Sequence, residues 1–226
     1  MNAINTALQQ TQTTVKETLL TLPHQLKAQW PLSNKLAQQI ADQRQTIENI
    51  LAGKDQRLMV VTGPCSIHDP VAALEYAQKL QQLQSQVSDQ IFLVMRAYIE
   101  KPRTTIGWKG FLYDPDLDGS SNMQLGLEKS RELYLHIIEM GLPIAAEILS
   151  PMATAYFDDL LAWGAIGART SESQIHREIS SHMPYSIGFK NGTDGSIQIA
   201  LDAIQSASNS HQFLGLGQSG LPCILE

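Results

Sequence analysis

A dense group of charged, hydroxyl-bearing and glycine residues lies at positions 96–110, where the sequence reads RAYIEKPRTTIGWKG. Arg96, Lys101 and Arg103 supply cations, and Thr104 adds a hydroxyl. Guanidinium groups bind phosphate and carboxylate groups through charge-assisted hydrogen bonds, often at two points. The stretch therefore predicts a site for a substrate that carries such groups. A solvated basic loop is the alternative, but Arg96 closes an apolar run, where an unpaired cation would be costly.

A second candidate is the segment GPCSIHD at residues 63–69, which contains a thiol, an imidazole and a carboxyl group. Cys65, with His68 and Asp69 close by in sequence, could bind a divalent metal or act as a nucleophile. A buried structural cysteine in a glycine turn is the alternative interpretation. Taken alone, a single cysteine favours that alternative.

Further functional residues follow other apolar runs along the chain, namely Glu147, Arg169 with its neighbour Ala168, and Lys190. In a parallel barrel, charges at the carboxyl ends of successive buried strands meet at one mouth. Together these residues predict an anion site with a carboxylate beside it. Each of them alone could equally be a surface residue.

The elements that must position these residues alternate between short strands and helices. Apolar or β-branched runs predict strands at 58–62, 91–95, 143–148, 165–168 and 186–189. Helical patterns are predicted from Ser33 to Gly53, and near Pro70, Asn122, Pro151 with Ser150 as its cap, and Thr193. Strands that are apolar on both faces indicate a parallel sheet covered by helices. A doubly wound sheet and an eight-stranded barrel both fit, and functional residues after several strands favour the barrel.

The domain organisation predicted from this pattern is an arm at 1–32, rich in Gln and Thr, and a barrel domain at 33–226. Such an arm is typical of an extension that packs on another subunit. The last segment, QFLGLGQSGLPCILE, predicts a hairpin about a turn at 218–220. A complete barrel has about 250 residues. We therefore expect an α/β fold, an incomplete TIM (β/α)8 barrel with an N-terminal extension, lacking its last strands.

Composition argues against several classes of protein. With 16 Lys+Arg against 22 Asp+Glu, the chain has no overall basic field for nucleic acid or an anionic membrane. No apolar run approaches the about 18 residues of a membrane span, and the first residues lack a signal-peptide pattern. Two cysteines, Cys65 and Cys223, are too few for a disulfide framework. We expect a cytoplasmic protein that binds neither nucleic acid nor membrane.

Five motifs resemble those of the class I 3-deoxy-D-arabino-heptulosonate-7-phosphate (DAHP) synthases: GPCSIHD, MRAYIEKPRTTIGWKGF, DGSSNM, WGAIGARTSESQIHRE and GFKNGTDG. The similarity runs from about Thr21 to Glu226. The stretch KPRTTIGWKG separates this family from the related octulosonate-phosphate synthases. The resemblance implies condensation of phosphoenolpyruvate with erythrose 4-phosphate, the first step of the shikimate pathway to aromatic amino acids.

The resemblance also implies a role for each matching residue. Cys65 would be one ligand of a divalent metal, manganese or iron. Phosphoenolpyruvate would be held by Arg96, Lys101, Arg169, Lys190 and the backbone of Ala168. Erythrose 4-phosphate would be received by Pro102, Arg103 and Thr104. Lys101 would donate a proton to the aldehyde oxygen, and Glu147 would position the water that enters the product.

The same resemblance predicts a C-terminally truncated member of the family. The family's remaining metal ligands, a His, a Glu and an Asp, and a further phosphate-binding Arg fall after the last position of this chain. One thiolate does not hold a divalent ion in a closed site, so we expect little or no activity from the chain alone. The alternatives are a non-catalytic remnant with weak anion binding and a regulatory binder of aromatic amino acids. Oligomers of identical subunits are also implied.

Overall fold

The computed structural model describes residues 17–226, so residues 1–16 of the predicted arm lie outside it. The helices are α1 (Pro23–Gln29), α2 (Asn34–Leu51), α3 (Pro70–Val87), α4 (Met123–Glu139), α5 (Thr154–Phe157), α6 (Gln174–His182) and α7 (Gln198–Ala207). The strands are β1 (Leu58–Thr62), β2 (Ile91–Arg96), β3 (Ile144–Glu147), β4 (Trp163–Ile166), β5 (Ser186–Phe189), β6 (Phe213–Leu216) and β7 (Pro222–Leu225). No helix in residues 17–226 is long and apolar enough to cross a membrane.

Strands β1 to β5 form one sheet in chain order, and every neighbouring pair is parallel. One helix lies between each strand and the next, as a parallel connection requires. The register pairs Val60 with Leu93 and Ala146 with Gly164. A curled sheet of successive βα units is the arrangement of part of a (β/α)8 barrel. The predicted α/β fold of incomplete-barrel type is confirmed.

Both faces of the sheet are buried at its inner strands, whereas the outer strands β1 and β5 are half-buried. On β2, Leu93 and Met95 belong to the main apolar cluster, whereas Phe92 and Val94 pack on the other face with Ile47 of α2. This alternation follows from the two-residue period of a strand. Burial on two sides explains why the strand segments are apolar almost throughout.

Three predicted helices begin where their sequence signals place them. The side chains of Ser33, Asp69 and Asn122 accept hydrogen bonds from the first turns of α2, α3 and α4. In α3 the Asp69 Oδ1 accepts from the Val71 N–H at 2.8 Å. The carboxyl group of the GPCSIHD segment therefore caps a helix.

The prediction of a helix near Pro151 with Ser150 as its cap is wrong. Helix α5 begins at Thr154, after a turn. The Ser150 N–H donates to the Glu100 Oε2 at 3.2 Å, so Ser150 is held by a buried carboxyl group rather than by a helix end.

Two other boundaries move, and the hairpin is confirmed. Helix α7 begins at Gln198 and not near Thr193, because a turn closed by the Gly192 N–H and the Ser196 carbonyl precedes it. Strand β4 begins at Trp163, two residues before the predicted run. Strands β6 and β7 pair antiparallel, as the final segment predicts.

A buried guanidinium group holds the helical layer together. Arg131 of α4 is 0% exposed. It binds both carboxylate oxygens of Asp159, at 2.9 and 2.7 Å, and it donates to the Trp30 and Tyr156 carbonyls at 2.9 and 3.0 Å. A desolvated cation is stabilised only when such partners surround it. This group ties the segment after α1 to α4 and α5.

The two N-terminal helices are fastened to the same region. Lys27 of α1 binds Asp158 and also donates to the Gln218 side chain at the tip of the hairpin, at 2.7 Å. Arg44 of α2 donates to the Leu161 carbonyl at 2.8 Å. The described end of the predicted arm is therefore packed on the barrel domain of its own chain.

Replacement of Arg131 by Met should lower the free energy of unfolding by about 3–5 kcal/mol, because Asp159 and two carbonyls lose their partner. The loss is measured by urea unfolding. Lys129→Met, on the same helix, is the control. Lys129 pairs with Asp116 at the surface, and its loss should amount to less than about 1 kcal/mol. Similar losses in both variants would contradict this account of Arg131.

Candidate active site

A cavity of about 490 Å³ opens at the carboxyl ends of the parallel strands. The predicted site residues that line it are Cys65, Lys101, Pro102, Arg103, Thr104, Glu147, Ala168, Arg169 and Lys190. Glu147 ends β3, and the others follow β1, β2, β4 and β5. The structure thus brings together every predicted site residue except Arg96, while their roles stay predictions.

Arg96 lies one layer behind the cavity wall. Its Nε donates to the Gly63 carbonyl at 2.8 Å, and its guanidinium carbon lies 5.8 Å from the centre of the Tyr98 ring. Gly63 has a φ of 135°, and a Cβ there would come within 2.5 Å of the Arg96 carbonyl oxygen. A side chain at position 63 would therefore separate the ends of β1 and β2.

Three cations converge on the cavity from different strand ends. The Lys101 ammonium group donates to the Cys65 sulfur at 3.5 Å. The Lys190 ammonium group lies 5.5 Å from the centre of the Tyr98 ring. The Lys190 backbone N–H donates to the Ile166 carbonyl, and the Lys190 carbonyl accepts from the Ser171 hydroxyl. Arg169 is exposed at the rim. Such a cluster at a strand mouth suits a ligand with several negative charges.

One carboxyl group lies among these cations. Burial raises the pKa of Glu147, while Lys190, Lys101 and Arg169 act in the opposite direction. Its Oε1 fits against Gly167 so closely that a Cβ at 167 would lie 2.3 Å away. Glu147 therefore packs closely against Gly167, and its carboxyl group takes up a proton more readily than an exposed one.

The loop after β2 forms the outer wall of the cavity. The Lys101 N–H donates to the Lys109 carbonyl at 2.8 Å and closes the base of the loop. The Arg103 Nε donates to the Trp108 carbonyl at 2.7 Å and folds the loop on itself. Arg103 and Thr104 are exposed, so they are accessible at the rim.

Sequence reasoning assigned no role to Glu100, which underlies this loop. It is 5% exposed, and its carboxylate accepts from the Tyr113 hydroxyl and the Ser150 N–H, both at 3.2 Å. Burial raises the pKa of Glu100 to about 7, although these two hydrogen bonds lower it. A charged residue four positions after Arg96, on the same side of an extended chain, was the available signal.

The described residues do not fit a closed site for a divalent metal. Within residues 17–226, no three His, Cys, Asp or Glu side chains group closely enough to hold a metal ion. Cys65 is a free thiol whose neighbour is the Lys101 ammonium group, and an ammonium group cannot be a ligand. Asp69 is occupied as a helix cap. Cys65 therefore stands as a single candidate ligand.

Known protein families contain a close match to this chain. The profile of the DAHP synthetase I family matches residues 30–223. The Tyr-sensitive phospho-2-dehydro-3-deoxyheptonate aldolase of Escherichia coli (strain K12) is 52% identical over 210 residues, which cover 93% of this chain and 59% of the relative. The Trp-sensitive aldolase of that strain is 50% identical over 204 residues, covering 90% and 58%. The chain thus spans about three fifths of the length of these relatives.

A solved structure shows the same arrangement. The phospho-2-dehydro-3-deoxyheptonate aldolase from Francisella tularensis SCHU S4 superposes with a TM-score of 0.91 at 48% identity. The match covers 93% of this chain and 62% of that one.

The buried carboxyl group of Glu100 should make stability fall as pH rises. Its pKa is raised from 4.5 to about 7 in the folded protein, so its contribution is fully present below pH 4.5 and is lost as pH rises through 7. Relative to Glu100→Gln, the free energy of unfolding should fall by up to about 3 kcal/mol from pH 4.5 to pH 8. Urea unfolding at several pH values measures this difference. Glu48→Gln, at an exposed position of α2, is the control. If the free energy of unfolding of the wild type fell equally with pH relative to Glu48→Gln and relative to Glu100→Gln, Glu100 would not be the source.

Proposed function

The chain belongs to the DAHP synthetase I family, and we propose that its cavity binds phosphoenolpyruvate and erythrose 4-phosphate for condensation to DAHP. The observation that carries the proposal is the convergence of Lys101, Arg169 and Lys190 around Glu147 in one cavity. Both substrates bear phosphate, and phosphoenolpyruvate also bears a carboxylate. Cations that neutralise these charges allow two anions to approach each other.

Phosphoenolpyruvate is placed against Lys101, Arg169 and Lys190, with the backbone of Ala168 beside them. These groups line the same cavity as Glu147. Arg96 stays in this proposed subsite as the family resemblance implies, although it does not line the cavity in this structure. Its Nε alone is engaged with the Gly63 carbonyl, so the other N–H groups of its guanidinium are available to a substrate.

Erythrose 4-phosphate is placed against the loop after β2. Pro102, Arg103 and Thr104 line the cavity there. Arg103 uses its Nε to hold the loop, which leaves its terminal N–H groups for a phosphate. Lys101 lies between the two proposed subsites and next to Cys65.

In the proposed reaction, C3 of phosphoenolpyruvate forms a bond to the aldehyde carbon of erythrose 4-phosphate. Lys101 donates a proton to the aldehyde oxygen as that bond forms. Water then adds at C2, and the bond from C2 to the phosphate oxygen breaks to release inorganic phosphate. Glu147 positions this water and accepts its proton, which agrees with the raised pKa of Glu147.

Enzymes of this family generally depend on a metal, and we assign Cys65 as a ligand for manganese or iron. Thiolate sulfur is a strong ligand for first-row transition metals. Because the described residues offer one such ligand, no step of the proposed reaction passes through the metal. When bound, the metal would act as a Lewis acid on the aldehyde.

A cytoplasmic location belongs to the same proposal. Cys65 and Cys223 are both free thiols in the structure. Free thiols are typical of a reducing compartment. Assembly with further copies of the chain, as the resemblance implies, is likewise proposed.

Binding of phosphoenolpyruvate to the purified chain is the direct test of this function. Isothermal titration calorimetry should give saturable binding, and Arg169→Ala should weaken it about 10- to 100-fold through loss of a charge-assisted hydrogen bond. Lys79→Ala removes a cation from the exposed side of α3 and is the matched control, with an expected change within about twofold. No binding, or equal weakening in both variants, would overturn the proposal.

By itself, the chain should bind phosphoenolpyruvate without forming DAHP, because one thiolate does not complete a metal site. The assay measures phosphate release and heptulosonate formation with Mn²⁺ and both substrates. The Francisella relative serves as the positive control. Turnover above background that disappears in Lys101→Ala would contradict the expected inactivity while it supports the role of Lys101.

A further inference from the structure

We propose that Tyr98 is a positioning residue of this site, whose aromatic ring holds the Lys190 ammonium group over the cavity. The inference deepens the proposed function, because Lys190 belongs to the phosphoenolpyruvate subsite proposed above. Tyr98 also lines the cavity. Its role follows from where its ring lies and which charges it contacts.

The backbone of Tyr98 is fixed from both sides. The preceding residue, Ala97, donates its N–H to the Ala145 carbonyl at 2.9 Å, and the Tyr98 carbonyl accepts from the Ile67 N–H at 2.9 Å. The side chain is 5% exposed. A ring anchored in this way provides a rigid surface, because its backbone cannot shift without breaking pairing on both flanks.

Two cations from distant strands meet at this ring. The Lys190 nitrogen lies 5.5 Å from the ring centre and the Arg96 guanidinium carbon lies 5.8 Å from it. Both distances fall within the about 6 Å over which an aromatic face attracts a cation. Arg96 ends β2 whereas Lys190 follows β5, and β3 and β4 lie between those strands. The Tyr98 ring therefore contacts cations from two parts of the sheet that are not neighbours.

A neutral partner leaves the positive charge of the site intact. Burial raises the pKa of Tyr98 to about 12, and Glu147 acts in the same direction. The phenol is therefore uncharged at neutral pH, and the contact with Lys190 is made by the ring rather than by a phenolate. A carboxylate at position 98 would hold Lys190 equally well but would cancel charge that the anionic substrate needs.

A double-mutant cycle with phosphoenolpyruvate tests the inference. By calorimetry, Tyr98→Leu should weaken binding about five- to tenfold, and Tyr98→Phe, which keeps the ring, should stay within about twofold. If Tyr98 acts mainly through Lys190, then most of the loss caused by Tyr98→Leu should disappear in a Lys190→Ala background, and the remainder reports the contact of the ring with Arg96. The same loss in both backgrounds, or none in the wild type, would overturn the inference. Tyr98→Met is the second ring-free variant if Tyr98→Leu does not fold.

A second readout needs no substrate. Acetylation of Lys190 by a small amine-reactive ester, followed by peptide mass spectrometry, should be several-fold faster in Tyr98→Leu than in the wild type. Lys79 is the internal reference. Altered Lys190 reactivity without any binding of phosphoenolpyruvate would refute the proposed function and leave the role of Tyr98 standing. Binding with unchanged Lys190 reactivity would refute the role of Tyr98 alone.

Discussion

The parallel pairing of β1 to β5 is the constraint on which the site depends. Because all five strands run in one direction, their carboxyl ends meet at one end of the sheet. Residues as far apart in sequence as Cys65 and Lys190 then line one cavity. A parallel sheet is covered on both faces, so its backbone N–H and C=O groups lie in an apolar interior and need hydrogen-bond partners. The pairing of neighbouring strands supplies those partners. Core packing and the geometry of the site are therefore not separable.

The chain has a net charge of −6, so the positive charge at the cavity comes from a local cluster of cations. The structure holds them with few ion pairs at the cavity: Arg96 is held by the Gly63 carbonyl and Lys101 by the Cys65 sulfur. Away from the cavity, the buried Arg131 and the partly exposed Asp159 neutralise each other and hold the helical layer together. Among the cations that line the cavity, Glu147 is one carboxyl group against Lys101, Arg169 and Lys190, so part of their positive charge is left for a ligand.

The sequence predicts the parts of this protein that follow local rules. Apolar and β-branched runs placed β1 and β5, and capping signals placed the starts of α2, α3 and α4. All the predicted site residues except Arg96 line one cavity, because parallel topology brings the carboxyl ends of the strands together. The start of α5 was missed because Ser150 is a good cap by type, yet a turn at 151–153 follows it and its N–H bonds a carboxyl group 50 positions away. Long-range hydrogen bonds of this kind have no local signature.

Glu100 shows that the position of the loop after β2 is maintained at a cost in stability. Its buried carboxyl group links the base of the loop after β2 to Ser150 after β3, and so fixes the position from which Lys101 reaches the cavity. A raised pKa means that the folded protein resists the charged form of this group. An amide would fill the same space without that cost but accepts fewer hydrogen bonds. The burial of this carboxyl group next to Lys101 is thus better explained by the geometry of the site than by stability.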